Sequence, residues 1–366
     1  MKKTIKLSKL GELKNGLNYS GGEIANPIKI IGVADFQNNT TPDYDSLGFV
    51  DSSFVSSDYL LEEGDIVFVR SNGNKNLVGR IMIIKNIQEP ITFSGFCIRF
   101  RPNKSIVNPE YVFFALKCKY CKSQYSYSQQ TNITNLSQDI LDDVDIPFCN
   151  LEDQNQSIAL LSKINDKINL NKQIINQLEN LGITYFDFIF REKYTNNLSQ
   201  AKKVGDYVGS NIGKQYASFS TPDGKFRFFS CSKDIQWCDE YEFSGKSLIV
   251  STHGDFHVEH FSGCFNAYFC NSIFTPKDEK QYGVLYFALK KQMDLLQRKS
   301  VGSVIKFISN EEICNLPMFM PESNFEYDFF NSIILSEEVL EIENINLIKN
   351  RDYLTDLFIS GQARID

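Results

Sequence analysis

The chain contains two copies of one arrangement of segments, and this internal repeat limits what it can fold into more than any other feature. In the first copy, residues 64–69 (GDIVFV) form a short apolar run, and a glycine follows at position 73. In the second copy, residues 245–250 (GKSLIV) have the same character, and a glycine follows at position 254. Each pattern predicts a buried strand that ends in a glycine turn. We therefore expect two similar units in one chain.

Further segments follow in the same order in both copies. A Phe-Ala-Leu-Lys sequence occurs at residues 114–117 and again at 287–290, in stretches with a helical pattern. A serine then precedes acidic residues, at Ser137 in the first copy and at Ser309 in the second. A serine in this position predicts a helix N-cap. The common order of these matches indicates a diverged tandem repeat.

Each copy is followed by a stretch in which apolar residues recur every seven positions. This spacing predicts a coiled-coil seam rather than the face of a globular helix. The seam positions are Leu161, Ile168 and Ile175 after the first copy, and Ile333, Leu340, Leu347 and Leu354 after the second. Asn171 would lower the stability of the seam but fix its register, and Gly182 is expected to end the regular seam. The alternative is that each helix packs only on its own domain.

The predicted fold class is α+β, with two β-rich domains alternating with two long helices that pair as an antiparallel coiled coil. The predicted boundaries are 1–150 for the first β-rich domain, 151–194 for the first helix, 195–322 for the second domain and 323–366 for the second helix. Helices of about 30 residues would be roughly 45 Å long. Because one turn of a DNA duplex measures about 34–36 Å, such a spacer could hold the two domains over separate short sites on one duplex.

Composition and charge restrict the class of protein. The 366 residues are 42% hydrophobic, which is enough to form two buried cores. No apolar run approaches the roughly 18 residues of a membrane helix, and no apolar stretch follows the basic start of the chain, so neither a membrane partner nor a signal peptide is expected. The nine cysteines are scattered, which argues against a disulfide framework. We expect a cytoplasmic protein.

The net charge of −7 argues, taken alone, against a nucleic-acid-binding protein. Two stretches are nevertheless basic: residues 70–104 contain seven basic residues and one acid, and residues 277–306 contain seven basic residues and three acids. Because DNA meets only the surface that faces it, this distribution leaves DNA binding open.

Polar and basic side chains around the two glycine turns are the candidates for DNA contact. Base recognition needs donors and acceptors at the base edges, while cationic groups set the register on the phosphates. The candidates in the first domain are Arg70, Asn72, Asn74, Lys75, Arg80, Gln129, Gln130, Thr131 and Asn132, and those in the second are His253, His257, His260, Arg298, Lys299, Ser303 and Lys306. His253 falls where Ser71 follows Arg70 in the first copy. For any single residue, an ordinary solvated loop position is the alternative.

Two cysteine- or histidine-containing segments raise the question of a metal site. Residues 253–260 contain all three histidines, and Cys264 and Cys270 follow. Zinc could bind there, but the His-Glu-x-x-His pattern is missing, so a DNA-contacting loop or ordinary histidines are favoured. The Cys-x-x-Cys at residues 118–121 lacks the second pair of a zinc ribbon and is interpreted as two ordinary cysteines. No metal, cofactor or catalytic residue is predicted in this chain.

The order of motifs resembles the DNA-specificity subunits of type I restriction–modification enzymes. Residues 130–137 (QTNITNLS) are similar to the polar segment that closes a target-recognition domain in that family, and the Ile-Pro step at 146–147 follows. Residues 154–159 (QNQSIA) and 161–168 (LSKINDKI) are similar to the start of the family's first conserved helix, and residues 357–361 (LFISG) resemble the end of its second. The chain is identified on these motifs as a member of that family.

The resemblance implies a non-catalytic subunit that binds double-stranded DNA. Two target-recognition domains would each recognise one half of an asymmetric site, and the paired helices would set the gap and bind two methyltransferase (modification) subunits. Those subunits would transfer a methyl group from S-adenosylmethionine to adenine N6, and a restriction/translocase subunit would use ATP and Mg to cleave unmodified DNA. The alternatives are a two-module scaffold protein with a coiled-coil spacer, a zinc hydrolase built around residues 253–260, and the specificity module of a methylation-only defence system.

Overall fold

The chain forms two compact units in the computed structural model. The structure describes residues 3–20, 23–36, 40–73, 77–126, 135–221, 224–231, 235–253, 256–299 and 307–363. Unit 1 consists of Met1–Asn169 and Ile345–Asp366, and unit 2 consists of Leu170–Asn344. In the part of the chain that is described, no helix is both long enough and apolar enough to cross a membrane.

Unit 1 is built on three small sheets. Its described strands are β1 (Thr4–Lys6), β2 (Gly11–Asn15), β3 (Pro27–Ile31), β4 (Gly48–Asp51), β5 (Ile66–Val69), β6 (Ile81–Ile83), β7 (Ile91–Phe93), β8 (Cys97–Pro102) and β9 (Asp145–Pro147). They form sheets of order β2-β8-β5-β6, β4-β3-β7 and β1-β9. The pair β3 and β7 is parallel, whereas β8, β5 and β6 are antiparallel neighbours.

Strand β5 is buried along its whole length, because both of its faces are covered. Ile66 and Phe68 belong to a core that contains the helices α1 (Pro109–Lys117) and α2 (Lys119–Tyr125). Val67 and Val69 belong to a second core with residues of β7 and β8. Two covered faces explain why this strand has a continuous apolar sequence rather than an alternating one, as the sequence predicts.

Two short helices of unit 1 begin at capped positions. Besides α1 and α2, the unit contains α3 (Gln138–Asp142), the first part of α4 (Leu151–Asn196) and the last part of a second long helix. At the start of α1, the side chain of Asn108 accepts a hydrogen bond from the amide of Glu110, and Pro109 follows it. The predicted cap at Ser137 is confirmed, since its hydroxyl accepts from the amide of Ile140 at 3.3 Å.

Unit 2 repeats this arrangement in one larger sheet. Its described strands are β10 (Lys202–Lys203), β11 (Val208–Ile212), β12 (Phe226–Phe229), β13 (Gln236–Cys238), β14 (Phe243–Ser251), β15 (Val258–Ala267), β16 (Asn271–Pro276) and β17 (Pro317–Met318). Its helices are the second part of α4, α5 (Val204–Tyr207), α6 (Tyr282–Lys299), α7 (Asn310–Cys314) and the first part of α8 (Asn324–Ser360). The strand order is β11-β16-β14-β15-β12-β13, with β10 and β17 as a separate pair.

The two strand orders confirm the tandem repeat. The series β2-β8-β5-β6 of unit 1 corresponds to β11-β16-β14-β15 of unit 2, and β1-β9 corresponds to β10-β17. The parallel pair of β3 with β7 has its counterpart in β12 with the end of β15. The predicted cap at Ser309 is also confirmed, because its hydroxyl accepts from the amide of Glu312 at 3.1 Å and Glu312 bonds back to it.

The two long helices have 46 residues in α4 and 37 in α8, which is more than the 30 or so from which the spacer length was estimated. Helix α4 continues past Gly182, whose lack of a side chain leaves room for the ring of Phe287: a Cβ at Gly182 would lie 2.1 Å from that ring. The first part of α4 and the last part of α8 belong to unit 1, and the rest of both helices belongs to unit 2. The predicted domain boundaries stay a prediction.

The helices pair antiparallel within each unit, as predicted. In unit 2, Asn171 of α4 bonds to Asn344 of α8, and further along α4 the ring of Phe186 meets Phe330, nearer the start of α8. Of the predicted seam residues, Leu161, Ile168 and Ile333 are buried, while Ile175, Leu340, Leu347 and Leu354 are half-buried. Buried residues of α8 also form another seven-residue series, namely Phe330, Glu337, Asn344, Arg351 and Phe358. The centre of this series is polar.

Candidate nucleic-acid interface

Several chain segments of unit 1 meet where strand β5 ends, and this part of the sheet is here called the loop end of unit 1. Arg70, the first residue after β5, donates its amide to the carbonyl of Phe96 at 2.8 Å. The Arg70 carbonyl accepts from the amide of Leu136 at 2.8 Å. Next to it, Ser71 forms an isolated β-bridge with Asn135. The segment that leads into α3 is thereby fixed beside the turn after β5.

The loop end of unit 2, where β14 stops, has the same set of contacts. Thr252 donates its amide to the carbonyl of Cys270 at 2.9 Å, and its carbonyl accepts from the amide of Ile308 at 3.1 Å. His253 then forms an isolated β-bridge with Phe307. The bridge from His253 to Phe307 is the counterpart of the bridge from Ser71 to Asn135, so the alignment of His253 with Ser71 holds in the structure.

Three candidates of unit 1 lie at its loop end. Arg70, Asn72 and Arg80 are all half-buried there. One guanidinium nitrogen of Arg70, Nη1, lies 3.5 Å from the carbonyl oxygen of Gly95, and Nη1 of Arg80 donates to the carbonyl of Phe36 at 3.0 Å. Both cations are therefore held at the loop end by backbone oxygens, with part of each side chain open to solvent.

Other candidates fall in parts of the chain about which the structure is silent. Those outside the described residues are Asn74, Lys75, Gln129, Gln130, Thr131, Asn132, Ser303 and Lys306. Arg298 and Lys299 end helix α6, and only their backbone is described. Along the chain, these residues come directly after or before segments that reach the two loop ends. Their contact with DNA stays a prediction.

The three histidines have different surroundings. His253 lies at the loop end, with its Nδ1 3.0 Å from the hydroxyl of Thr252 and its ring 4.7 Å from that of Phe307. His257 is half-buried, with its Nε2 3.5 Å from Glu259. His260 is buried inside unit 2. Among the described residues, no group of three or more His, Cys, Asp or Glu is arranged to hold a metal ion.

The buried His260 forms an ion pair between a strand and a helix of unit 2. Its Nε2 lies 2.8 Å from a carboxylate oxygen of Glu337 on α8, and its Nδ1 lies 3.6 Å from Glu338. Burial alone would lower the pKa of His260, but the hydrogen bonds to Glu337 and Glu338 outweigh it and raise the pKa to about 9. The imidazole is thus charged at neutral pH. Its position gives no support to the predicted DNA contact, which stays a prediction.

In unit 1 a buried group of hydrogen bonds, rather than an ion pair, joins the β-rich part to the long helices. Sequence reasoning missed this contact. Asn165 of α4 donates to the hydroxyl of Thr40 at 3.0 Å, and its amide oxygen accepts from Nη1 of Arg351 on α8 at 3.0 Å. All three side chains are buried. The contact joins the β-rich part of unit 1 to both of its helices. The sequence signal for it is spacing: Arg351 lies seven residues before the buried Phe358, and so on the same face of α8.

Helix α4 also joins the core of unit 2 through a carboxylate. Glu179 accepts hydrogen bonds from the hydroxyl of Tyr286 at 2.7 Å and from the ammonium group of Lys290, both on α6. Burial alone would raise the pKa of Glu179, but the charge of Lys290 and these bonds lower it. Glu179 is therefore ionised, and it fixes α6 against the helix.

Comparison with known proteins gives one consistent result. Residues 2–180 match the family model described as type I restriction modification DNA specificity domain. The Type I restriction enzyme EcoDI specificity subunit of Escherichia coli is 24% identical over 119 residues, which cover 32% of this chain and 27% of that protein. The StySPI specificity subunit of Salmonella potsdam is 25% identical over 48% of this chain and 38% of that protein.

These relatives differ in length from this chain. The chain spans between 27% and 39% of the length of the curated relatives that it matches. A crystal structure of a type I restriction-modification system S subunit from M. genitalium has 14% identity and a TM-score of 0.46, covering 98% of this chain and 96% of that one. Residues 2–180 thus belong to the family of type I restriction–modification DNA specificity domains.

Proposed function

We propose that this chain is the non-catalytic DNA-specificity subunit of a type I restriction–modification complex, and that it recognises a two-part DNA site. The observation that carries the proposal is the repetition within the chain. Two units of the same strand order have equivalent loop ends, at which the turn after the central strand meets the segment before a short capped helix. Two similar recognition units in one chain suit a DNA site with two separate halves.

The way each loop end is anchored is compatible with base recognition. The backbone bonds from Arg70 to Leu136, and from Thr252 to Ile308, fix the segments on the end of a buried sheet. A rigid sheet can hold loop side chains in a groove at a small cost in entropy. The residues at equivalent positions differ, with Ser71 in unit 1 and His253 in unit 2. Different side chains in the same framework would recognise different half-sites.

The chemistry of the complex would belong to partner subunits. EcoDI and StySPI are named as specificity subunits of type I restriction enzymes, and we extend that role to this chain. Methyltransferase subunits would use S-adenosylmethionine to methylate adenine N6, and a restriction/translocase subunit would use ATP and Mg to cut unmodified DNA. This chain would supply the DNA sequence specificity and work where the chromosome lies, in the cytoplasm.

The first test is a map of N6-methyladenine across the genome of the source strain, with and without the gene for this chain. We expect deletion to remove one interrupted motif that consists of two short halves and a fixed gap. An unchanged map, in cells shown to contain both the chain and its methyltransferase partner, would contradict the proposal. Plating of unmodified phage on the same strains then separates a restricting complex from a methylation-only one.

A further inference from the structure

Each unit exposes a phenylalanine in a tight turn beside its central strand, which is β5 in unit 1 and β14 in unit 2. The turn leads into the neighbouring strand, β8 or β16. In unit 1 the turn runs from Ser94 to Cys97 and is closed by a bond from the Cys97 amide to the Ser94 carbonyl, at 2.8 Å. Phe96 lies in this turn and is 62% exposed. In unit 2 the turn of residues 268–271 is closed by an equivalent bond of 2.9 Å. It contains Phe269, which is 43% exposed.

The two turns occupy the same place in the repeat. In unit 1, Val69 at the end of β5 pairs with Cys97, the last residue of the turn. In unit 2, Ser251 at the end of β14 pairs with Asn271, again the last residue of the turn. Phe96 is the third residue of its turn and Phe269 the second. Both rings therefore lie at the tip of the turn next to the central strand, at the loop end.

In each unit a glycine directly follows the edge strand, β2 in unit 1 and β11 in unit 2, and holds the turn against it. The amide of Gly16 donates to the carbonyl of Cys97 at 3.0 Å, and the amide of Gly213 donates to that of Asn271 at 2.9 Å. A Cβ at Gly16 would lie 2.0 Å from a backbone oxygen of the turn, and one at Gly213 would lie 2.1 Å from the corresponding oxygen. Since the backbones approach this closely only without a side chain, each phenylalanine is carried on a fixed support.

Each of the two turns contains an exposed phenylalanine, at positions that differ by one residue in the strand register, whereas the neighbouring residues have changed between the two units. Arg70 in unit 1 corresponds to Thr252 in unit 2, and Asn135 corresponds to Phe307. A single exposed phenylalanine needs no explanation. Two of them at equivalent turns, among residues that otherwise differ, point to a function that both units share.

The surroundings of the two rings suit a nucleic acid. The guanidinium of Arg70 is held against the turn in unit 1 by the Gly95 carbonyl. In unit 2 the ring of Tyr216, which is 70% exposed, lies 5.6 Å from that of Phe269 in an edge-on arrangement. A cation or a phenol beside an exposed phenyl ring can bind a phosphate while the ring meets an apolar part of a base.

We infer that Phe96 and Phe269 are the apolar base contacts of the two half-sites, each packing against the C5-methyl group of a thymine in the major groove. The thymine methyl is the apolar group among the base-edge groups of that groove, and phenylalanine is one of the side chains that contact it. A phenyl ring opposite the polar edge of a G·C pair would leave donors and acceptors without partners. This inference rests on the proposed function, and it names one side chain in each unit that selects an A·T pair.

The test combines a substitution in the protein with one in the DNA. The full chain, together with its methyltransferase subunits, is titrated with a duplex that carries the mapped two-part motif. Each thymine of the motif is replaced in turn by deoxyuridine, which removes only the methyl group. For the unsubstituted chain, we expect one position in each half-site to weaken binding by about fourfold, the effect of exposing one buried methyl group.

The F96A variant should weaken binding by about tenfold, since only part of the ring is buried on binding. In F96A the sensitive deoxyuridine of one half-site should lose its effect, and F269A should do the same for the other half-site only. The leucine variants F96L and F269L, which keep an apolar side chain, should recover part of the affinity. Thermal unfolding at the same temperature as the unsubstituted chain would show that the variants are folded.

Phe54 provides the matched control. It is 41% exposed just after β4, where the amide of Ser52 bonds to the carbonyl of Asn26 before the start of β3, at the end of that sheet opposite the turn of residues 94–97. F54A should leave DNA affinity and every deoxyuridine effect unchanged. Specific binding in which no deoxyuridine effect depends on Phe96 or Phe269 would overturn this inference and leave the proposed function standing. Failure of the unsubstituted complex to bind a two-part site would overturn both.

Discussion

Unit 1 and unit 2 share a strand order but differ in how the sheet continues beyond the central strands. In unit 1, β6 ends at Ile83 and β7 begins at Ile91, and Asn86 between them has a positive φ of 57°. Pro90 also lacks the N–H that a sheet ladder needs. In unit 2 the single strand β15 takes both positions and pairs with β14 from Phe243 to Val250. The central strands and the loop end are kept, while the sheet outside them has diverged.

The units also differ in how their β-rich parts are joined to the helices. Unit 1 uses the chain of hydrogen bonds from Thr40 through Asn165 to Arg351. Unit 2 uses the buried pair of His260 with Glu337. A hydrogen-bonded amide keeps its partners at any ordinary pH, whereas an ion pair depends on protonation and is costly to break. The two joints therefore predict different responses to substitution and to pH.

The largest effect should come from breaking the ion pair of unit 2. Replacing His260 with alanine leaves the buried carboxylate of Glu337 without its partner, and this costs about 3–5 kcal/mol of unfolding free energy. Urea unfolding followed through the single tryptophan, Trp237 on β13 of unit 2, measures this. The control is E322A, because the pair of Glu322 with Lys193 is solvent-exposed and should contribute less than about 1 kcal/mol. Equal losses in the two variants would contradict the account.

The pH dependence of unit 2 should be the next largest effect. His260 has a pKa of about 9 in the folded chain, against an ordinary value of 6.5. Because the folded value is the higher one, its stabilisation is fully present below pH 6.5 and is lost as the pH rises through 9. Tryptophan-detected unfolding of H260Q should lose this dependence. A variant with the same pH profile as the unsubstituted chain would show that His260 is not the group responsible.

Substitution in the hydrogen-bonded joint of unit 1 should cost less stability than loss of the ion pair of unit 2. N165A removes an acceptor from the buried Arg351 and a donor from Thr40, and a hydrogen bond to a charged group contributes about 1.5–3 kcal/mol. Hydrogen exchange should become faster in unit 1, while the tryptophan of unit 2 reports no change. N165D is the matched variant, because its carboxylate still accepts from Arg351 and should restore much of the protection. Loss of protection confined to unit 2 would be incompatible with this joint.

Helix capping should give the smallest difference. Ser309 and Glu312 form a reciprocal capping box in unit 2, whereas Ser137 of unit 1 caps its helix with one hydrogen bond. S309A should cost about 1 kcal/mol, and S137A somewhat less. Denaturant unfolding of both variants tests the order. A larger loss in S137A would contradict it.

Local patterns made much of the fold predictable. Strand β5 and the caps at Ser137 and Ser309 depend on residues close together in the chain, so their sequence carries the signal. Gly182 was interpreted as the end of the regular seam because glycine is a poor helix former. In the structure α4 continues past this glycine, and the ring of Phe287 packs against it from a distant part of the sequence.

The candidate site was less predictable for a different reason. Asparagine and arginine side chains usually face solvent, and only the fold brings Asn165 and Arg351 together. Phe96 and Phe269 lie in turns whose sequences differ, so the equivalence of the two turns appears only from the pairing register of the neighbouring strands. Arg70 was found because it directly follows a strong strand pattern. The other features of the candidate site depend on long-range contacts, which a local sequence pattern does not contain.

The most direct test of the central claim is a map of N6-methyladenine in the deletion strain carrying either the unsubstituted gene or its R70A variant. Arg70 lies at the loop end of unit 1, held by Gly95 and Leu136. We expect the unsubstituted gene to restore one interrupted two-part motif, and R70A to relax or weaken one half of that motif while the other half is unchanged. An R70A map identical in motif and efficiency would remove Arg70 from the interface. Failure of the expressed, unsubstituted chain to restore any two-part motif would contradict the account itself.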